Sequence, residues 1–330
     1  MASADVWLPF PPAEMGALPG SFRYVHWGGE GEFPADPAHC VFYAVPYMKG
    51  QAVAVRPLAH MTNVRVVQTL TAGVDHMEPA VPQLPRGTLL CNARGVHEAS
   101  TAELALTLAL ASLRGIPAFV RAQDAGEWRQ GFRPALADRT ALIVGYGSIG
   151  AAIEERLAPF EPAAVHRVAR TARTAPRGPV HAHADLPRLL PEADVVFLVT
   201  PLTEATRGLV DASFLARMKD GALLVNVARG AVVDTGALLA ELESGRLRAA
   251  LDVTDPEPLP PGHPLWRAPG VLITPHVGGP TSAFAPRARR LLRAQLRRFA
   301  AGEPLENVVA VAGEEPEGDD GGRRTERPVA

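Results

Sequence analysis

The stretch Thr140–Gly150, TALIVGYGSIG, decides the fold of this chain. A short apolar and β-branched run leads into GYGSIG at 145–150, which has the G-x-G-x-x-G spacing. Between a strand and a helix, such glycines allow a tight turn, close approach of backbone to a pyrophosphate, and close packing of helix on strand. The N-terminus of that helix offers free N–H groups and a positive dipole end to phosphates. The stretch therefore predicts a dinucleotide-binding fold.

The sequence around this motif alternates between strand and helix patterns. Six short apolar runs are predicted to be strands: Thr140–Val144, Ala163–Val168, Asp194–Val199, Ala222–Val227, Ala249–Val253 and Val271–Thr274. Helices are predicted at Asp211–Met218, which opens with an N-cap Asp, and at Asp234–Ser244, which is followed by Gly245. Strands that are apolar on both faces indicate a parallel sheet covered on both sides, and six strands suit a full dinucleotide-binding fold.

The residues before the motif must form a separate unit, because the motif lies in the middle of the chain. Five further strands are predicted: Val6–Leu8, Tyr24–His26, Cys40–Val45, Arg65–Thr69 and Leu89–Cys91. The segment Ala99–Leu113 is apolar almost all round, which predicts a buried helix that bridges two domains or lies at a subunit contact. A late helix, Arg287–Phe299, is predicted to return to the first unit.

These elements predict a discontinuous first domain. We expect a substrate domain from residues 1–95 and 280–312, a dinucleotide-binding domain from residues 96–279, and a disordered tail at 313–330. The tail is rich in glycine, proline and charge, a composition that does not support a packed core.

Composition excludes several classes of partner. The 330 residues carry a formal net charge of −2, which gives no argument for binding nucleic acid or membranes. Cys40 and Cys91 lie in apolar runs and are expected to be buried thiols in a reducing compartment. The N-terminus lacks a signal-peptide pattern, and the longest apolar stretch, Leu104–Leu113, is too short to span a bilayer. We expect a cytoplasmic protein without a metal site.

The segment after the second strand of the dinucleotide fold predicts the choice of coenzyme. An NAD-preferring site places Asp or Glu about 20 residues after the glycines, where it accepts from the ribose hydroxyls. Residues 162–184 contain no acid, and the run HRVARTAR supplies Arg167, Arg170, Thr171 and Arg173 instead. A carboxylate would repel a 2′-phosphate, whereas arginine binds it bidentately. We predict NADP(H) in preference to NAD(H); the alternative is a solvated basic loop.

Three polar side chains follow the last three predicted strands. Arg229 is a planar cation that suits a carboxylate, His276 is an acid/base group that titrates near neutrality, and Glu257 can orient its imidazole and raise its pKa. Taken singly, each side chain also has an ordinary structural explanation. Because ligands of doubly wound sheets bind outside the carboxyl ends of the strands, their common position favours a catalytic site.

Together with the motifs above, the sequence resembles the D-isomer-specific 2-hydroxyacid dehydrogenases. The resembling pieces occur in the family's order from about Thr69 to Gly279 and are TAGVDH (71–76), STAELALTLALASLRGIP (100–117), GYGSIG (145–150), VTPLTEATRGLV (199–210), LLVNVARG (223–230), ALDVTDPEPLP (250–260) and ITPHVGG (273–279). The resemblance implies an α/β fold in which a Rossmann-type doubly wound parallel sheet is inserted into a smaller flavodoxin-like α/β substrate domain. It also implies a homodimer with a cleft that closes between the domains.

The resemblance assigns roles to particular residues. Arg229 would bind the carboxylate and carbonyl oxygen of the substrate, His276 would exchange a proton with the 2-oxo oxygen, and Glu257 would hold His276. Backbone at Ala72, Gly73 and Val74 would hold the substrate carboxylate. The implied substrate contacts are these three residues, Arg229 and His276. The implied coenzyme contacts, besides the arginine cluster, are Gly145, Gly147, Ser148, Ile149, Gly150, Thr200, Pro201, Val227, Ala228, Gly278 and Asp252, the last facing the nicotinamide carboxamide.

The chain departs from the family's pattern at a few positions. Ser148 stands where many members carry arginine, and Pro280 follows the glycines after His276. The segment Tyr43–Gln51 has no match in the family's pattern and is expected to shape the substrate pocket.

The resemblance implies an oxidoreductase acting on CH–OH donors. We expect NAD(P)H-dependent reduction of a small 2-oxoacid, of the glyoxylate or hydroxypyruvate type, to the D-2-hydroxy acid, with His276 as the proton donor to the 2-oxo oxygen. An alternative is a dinucleotide-sensing regulatory protein on the same scaffold without significant turnover. A third is a hydrolase that uses bound NAD transiently, for which the sequence offers no additional catalytic groups.

Overall fold

The computed structural model describes residues 4–314 of the chain. Its strands are β1 (Asp5–Leu8), β2 (Arg23–His26), β3 (Cys40–Ala44), β4 (Val66–Gln68), β5 (Leu89–Cys91), β6 (Thr140–Val144), β7 (Ala164–Ala169), β8 (Arg173–Ala175), β9 (Gly178–Ala182), β10 (Val195–Leu198), β11 (Leu223–Asn226), β12 (Arg248–Leu251), β13 (Val271–Ile273) and β14 (Val308–Val311). Its α-helices are α1 (Gln51–Val55), α2 (Glu98–Arg114), α3 (Ile116–Asp124), α4 (Ser148–Leu157), α5 (Leu186–Leu189), α6 (Ala212–Ala216), α7 (Thr235–Glu243) and α8 (Phe284–Ala301).

The chain forms two compact units. Among the described residues, one unit contains 4–97 and 282–314, and the other contains Glu98–Thr281. The first unit is therefore discontinuous in sequence. The assignment of one unit to the substrate and the other to the coenzyme stays a prediction at this point.

The first unit is built on a six-stranded sheet in the order β14-β5-β4-β3-β1-β2. Strands β1 to β5 are parallel and have the flavodoxin-like order 2-1-3-4-5, while β14 is antiparallel to β5 at the edge. On one face, Leu292 and Phe299 of α8 share an apolar core with Val6 and Phe42 of the strands. Trp7, Tyr43 and Val67 belong to the core on the other face.

The second unit is a doubly wound sheet in the order β13-β12-β11-β10-β6-β7-β9-β8. All neighbouring strands are parallel except for β8, which forms an antiparallel hairpin with β9. Residues of α2 and α4 pack in the core on one face of the sheet, and residues of α5, α6 and α7 pack on the other. The two units together confirm the predicted fold class.

The strands of the second unit end in register. Leu198 of β10 pairs with Val144 of β6 on one side and with Asn226 of β11 on the other. Asn226 in turn pairs with Leu251 of β12, and Leu251 pairs with Ile273 of β13. The loops that follow these five strands therefore leave the sheet along one edge.

The structure corrects the predicted strand count. The order 3-2-1-4-5-6 of a dinucleotide fold corresponds to β9-β7-β6-β10-β11-β12, so β9 is its third strand and β13 is an addition. Strand β9 was not predicted, because Gly178 and Pro179 begin it and His181 interrupts its apolar pattern. The remaining predicted strands and helices are confirmed to within a few residues at their ends, and β8, β14, α1, α3 and α5 are further additions.

Both cysteines are unpaired and buried, as predicted. Among residues 4–314, no single helix is long and apolar enough to cross a membrane; α2 and α3 together meet that criterion by length and composition only, and they meet at a bend of 64°. Within the same range, no group of three or more His, Cys, Asp or Glu side chains could hold a metal ion. Most of the predicted disordered tail, from residue 315, lies outside the described residues.

Candidate active site

His276 lies in the loop that follows β13. Its backbone has a left-handed φ of 54°, and its N–H donates to Asp252 O at 2.8 Å. Its Nδ1 is 2.6 Å from Glu257 Oε1, and both side chains are about half exposed. Because a carboxylate only accepts hydrogen bonds, this contact places a proton on Nδ1 and leaves Nε2 as the nitrogen for proton exchange with a substrate.

The electrostatic surroundings favour the charged form of His276. The hydrogen bond that His276 donates to Glu257 raises the pKa of the imidazole above its ordinary value, although burial opposes this effect. The charge of Asp252 also raises the pKa, and the positive charge of Arg229 lowers it. Arg229 and Glu257 therefore both lie close enough to His276 to influence its charge.

Asp252 holds the loop that carries His276. Its Oδ1 accepts from Thr274 Oγ1 at 2.6 Å and from Val277 N at 2.9 Å, and its Oδ2 accepts from Gly278 N at 2.9 Å. The residue is buried, and a Cβ on Gly278 would lie 3.0 Å from Oδ2. The resemblance implies contact of Asp252 with a carboxamide; what the structure shows is a carboxylate that fixes the His276 loop.

Arg229 is positioned by a side chain that the sequence did not single out. Asn226, the last residue of β11, is buried and donates from Nδ2 to Arg229 O at 3.0 Å. Its Oδ1 accepts from Ala228 N at 3.0 Å. Next to Arg229, a Cβ on Gly230 would lie 1.9 Å from Thr254 O, so only glycine allows this loop to pack on the loop after β12. The sequence signal that could have identified Asn226 is a polar amide residue near the end of an otherwise apolar predicted strand.

The glycine-rich loop has the form of a phosphate cradle. Gly145 has a φ of 102°, and a Cβ there would lie 2.5 Å from Thr200 N, whereas a Cβ on Gly147 would meet no atom within 4 Å. Helix α4 begins after Gly147 without a side-chain cap, so the N–H groups of Ser148, Ile149 and Gly150 lack intrahelical acceptors. These features fit the pyrophosphate of a dinucleotide.

The other predicted coenzyme contacts in this unit lie on the same edge of the sheet. Thr200 and Pro201 follow β10, and the backbone of Thr200 adjoins Gly145 of the glycine-rich loop. Val227 and Ala228 follow β11. Gly278 follows β13 and donates to Asp252. The register of the strands therefore gathers residues that are far apart in sequence.

The predicted arginine cluster contains one largely buried side chain, that of Arg167, and exposed residues after it. Arg167 does not extend into solvent: its guanidinium pairs with Glu154 of α4, and we therefore do not assign it to a phosphate. Arg170 and Thr171 are exposed after β7. Arg173 on β8 donates to the carbonyl oxygen of Tyr146, within the glycine-rich loop.

The predicted carboxylate-binding loop lies after β4 in the first unit. Thr71 Oγ1 donates to Gly73 O at 2.7 Å, and Val74 O accepts from Met77 N at 2.7 Å. Asn92 donates from Nδ2 to Ala72 O at 3.0 Å. Asn92 was not predicted as a site residue, and it fixes the loop by holding a main-chain carbonyl.

The sequence comparisons agree with this geometry. The family model described as "D-isomer specific 2-hydroxyacid dehydrogenase, NAD binding domain" matches residues 106–278. The glyoxylate reductase/hydroxypyruvate reductase of Mus musculus is 38% identical over 231 residues, which cover 66% of this chain and 69% of the mouse protein. The human protein of the same name is 34% identical over 255 residues, with 74% and 76% covered.

A solved structure extends the similarity to nearly the whole chain. The D-isomer specific 2-hydroxyacid dehydrogenase of Xanthobacter autotrophicus Py2, in complex with NADPH and MES, has a TM-score of 0.78 and 30% identity. The match covers 94% of this chain and 98% of that one. The motifs, the fold and these matches agree: this chain belongs to the D-isomer specific 2-hydroxyacid dehydrogenases.

Proposed function

We propose that this protein is an NAD(P)H-dependent reductase of small 2-oxoacids, of the glyoxylate/hydroxypyruvate type, that forms the D-2-hydroxy acid. The observation that carries the proposal is the 2.6 Å contact between His276 and Glu257, on the same sheet edge as Arg229 and the glycine-rich loop. The mouse and human relatives bear the name of that activity.

The residues of the site divide the work of carbonyl reduction. When bound, the reduced coenzyme would supply the hydride that adds to the carbonyl carbon. His276, protonated and held by Glu257, delivers a proton to the 2-oxo oxygen, and in the oxidative direction it takes the proton back. Arg229 binds the substrate carboxylate and stabilises the negative charge that develops on the carbonyl oxygen. The backbone of Ala72, Gly73 and Val74 serves as a second anchor for the carboxylate.

We propose NADP(H) as the preferred coenzyme. The segment after β7 has no carboxylate to accept from the ribose hydroxyls and exposes Arg170 and Thr171. Arg173 lies beside them and contacts the glycine-rich loop. The relative from Xanthobacter was crystallised with NADPH.

We also propose a cytoplasmic homodimer. Two buried thiols that remain unpaired fit a reducing compartment. A row of large apolar side chains on α3 and the segment after it is exposed: Ile116, Val120, Trp128 and Phe132. Such a surface is typical of a contact between subunits.

The reaction itself is tested with a panel of glyoxylate, hydroxypyruvate, pyruvate and phenylpyruvate and both reduced coenzymes. We expect oxidation of NADPH with at least one substrate, and His276→Ala should lower kcat by about 100-fold or more while coenzyme affinity is retained, because a general acid contributes that much. Absence of turnover with the whole panel, together with intact coenzyme binding, would favour the dinucleotide-sensing alternative.

The pH dependence of reduction reports on Glu257. Since Glu257 raises the pKa of His276, the reducing enzyme should keep its acid form up to a higher pH and lose activity as the pH rises through that pKa. In Glu257→Gln this decline should begin at a lower pH, measured as kcat/KM against pH. As a control, Asp255→Asn removes a neighbouring exposed carboxylate and should leave the pH dependence of kcat/KM unchanged. An unchanged profile in Glu257→Gln would exclude the assigned role.

Coenzyme preference is tested by Arg170→Asp. Replacing a cation with a carboxylate should weaken NADPH relative to NADH by about tenfold, equivalent to ~1.4 kcal/mol, in binding titrations with both coenzymes. Arg267→Asp makes the same charge change at an exposed site. Arg267 lies before β13, whereas the predicted coenzyme contacts follow the strands, so this variant should leave the ratio of NADPH to NADH affinity unaltered. A constant ratio in Arg170→Asp would show that the loop after β7 does not select the coenzyme.

Subunit association is tested by light scattering. The dimer should have a mass of 70 kDa, twice the 35.0 kDa of the chain. Replacing Trp128 and Phe132 with serine should shift the mass towards the monomer, because both side chains are almost fully exposed in the single chain. Trp266→Ser, another exposed tryptophan, serves as the control. A monomeric wild-type protein would contradict the proposal.

A further inference from the structure

A buried ion pair lies beneath the glycine-rich loop of the second unit. Glu154 of α4 accepts from Arg167 of β7, whose Nε is 2.8 Å from Glu154 Oε2 and whose Nη2 donates to Oε1. The hydroxyl of Tyr146 also donates to Glu154 Oε2. Side-chain exposure is only 6% for Glu154 and 12% for Arg167, so the pair is largely shielded from solvent.

The positive charge of Arg167 and the negative charge of Glu154 compensate each other. Burial alone would raise the pKa of Glu154, but the hydrogen bonds from Arg167 and Tyr146 outweigh it and lower the pKa. The two-point contact between guanidinium and carboxylate fixes the relative orientation of α4 and β7. Because the charge of Arg167 is matched inside the protein, this arginine has no unmatched charge to offer to a phosphate.

The network joins the two parts of the predicted coenzyme site. Tyr146 stands between Gly145 and Gly147, and Arg167 lies two residues before the end of β7, where the exposed loop with Arg170 begins. The guanidinium of Arg167 also lies 5.9 Å from the centre of the Tyr146 ring.

Tyr146 is held at two points. Its hydroxyl is bound by Glu154 from inside, and its carbonyl oxygen accepts from Arg173 of the β8–β9 hairpin. On the far side of the pair, a Cβ on Gly178 of β9 would lie 3.3 Å from Arg167 Nη1, so the hairpin also packs closely on Arg167. The glycine-rich loop therefore cannot move without disturbing β7 or the hairpin.

We propose that Tyr146, Glu154 and Arg167 form a positioning network that holds the pyrophosphate-binding loop in register with the loop after β7, and so sets the affinity for coenzyme without selecting between NADPH and NADH. The inference rests on the proposed function, since it presupposes that a dinucleotide binds at the glycine-rich loop. Selection is left to Arg170 and Arg173, which are exposed.

The test compares dissociation constants for NADPH and NADH, measured by calorimetry on the folded full-length protein, with thermal unfolding in parallel. Arg167→Met should weaken both coenzymes by about tenfold, and Tyr146→Phe, the milder change, by about threefold, with the NADPH-to-NADH ratio kept within about twofold in each case. The double variant should bind no more weakly than Arg167→Met alone, because the two side chains act through one carboxylate.

The control removes a partly exposed arginine of the same helix, which lies outside the network. Arg156 of α4 lies 3.9 Å from Glu155 at the surface, and Arg156→Met should leave both dissociation constants unchanged. If the network variants unfold at a lower temperature yet bind both coenzymes normally, the network is only structural and the inference fails. If NADPH alone is weakened, Arg167 acts on the phosphate and the inference also fails.

Two further outcomes keep the test decisive. If Arg167→Met does not fold, Tyr146→Phe decides the matter, because it removes one hydroxyl and leaves the ion pair in place. If the wild-type protein binds neither coenzyme, the proposed function fails, and this result is distinct from wild-type binding that the variants leave unchanged.

Discussion

The site depends on the carboxylate of Asp252. Three hydrogen bonds from the loop after β13 converge on this buried group, and they hold His276 in a left-handed backbone conformation that few non-glycine residues adopt. With the backbone fixed in this way, the imidazole reaches Glu257 at 2.6 Å. Removing a hydrogen-bond partner from a buried carboxylate is energetically costly because its charge is then uncompensated, and this cost stabilises the observed conformation of the loop.

The parallel sheet accounts for the rest of the convergence. Because five strands end in register, the glycine-rich loop, Arg229, Asp252 and His276 meet at one edge although 131 positions separate Gly145 from His276. Glycines at close approaches allow the loops to touch, most clearly at Gly230 beside Thr254. Strand register thus sets the approximate positions of the site residues, and packing between the loops fixes them more closely.

Much of this could be predicted from sequence, because apolar runs and glycine spacing are local signals. The strand before the glycines and the positions of Arg229, Glu257 and His276 at strand ends follow from such signals. The partner of Arg167 could not be predicted in this way, since pairing with Glu154 depends on how α4 packs on β7. Strand β9 lacks an apolar run, and it is recognised only through its pairing with β7.

The central claim is that Glu257 keeps His276 poised as an acid in the folded protein. Its most direct test is a histidine-selective NMR titration of the wild-type protein, with the resonance assigned by comparison with His276→Ala. The account predicts that His276 titrates above the ordinary histidine value of 6.5. Titration at or below that value would contradict it, because the contact with Glu257 would then not stabilise the imidazolium.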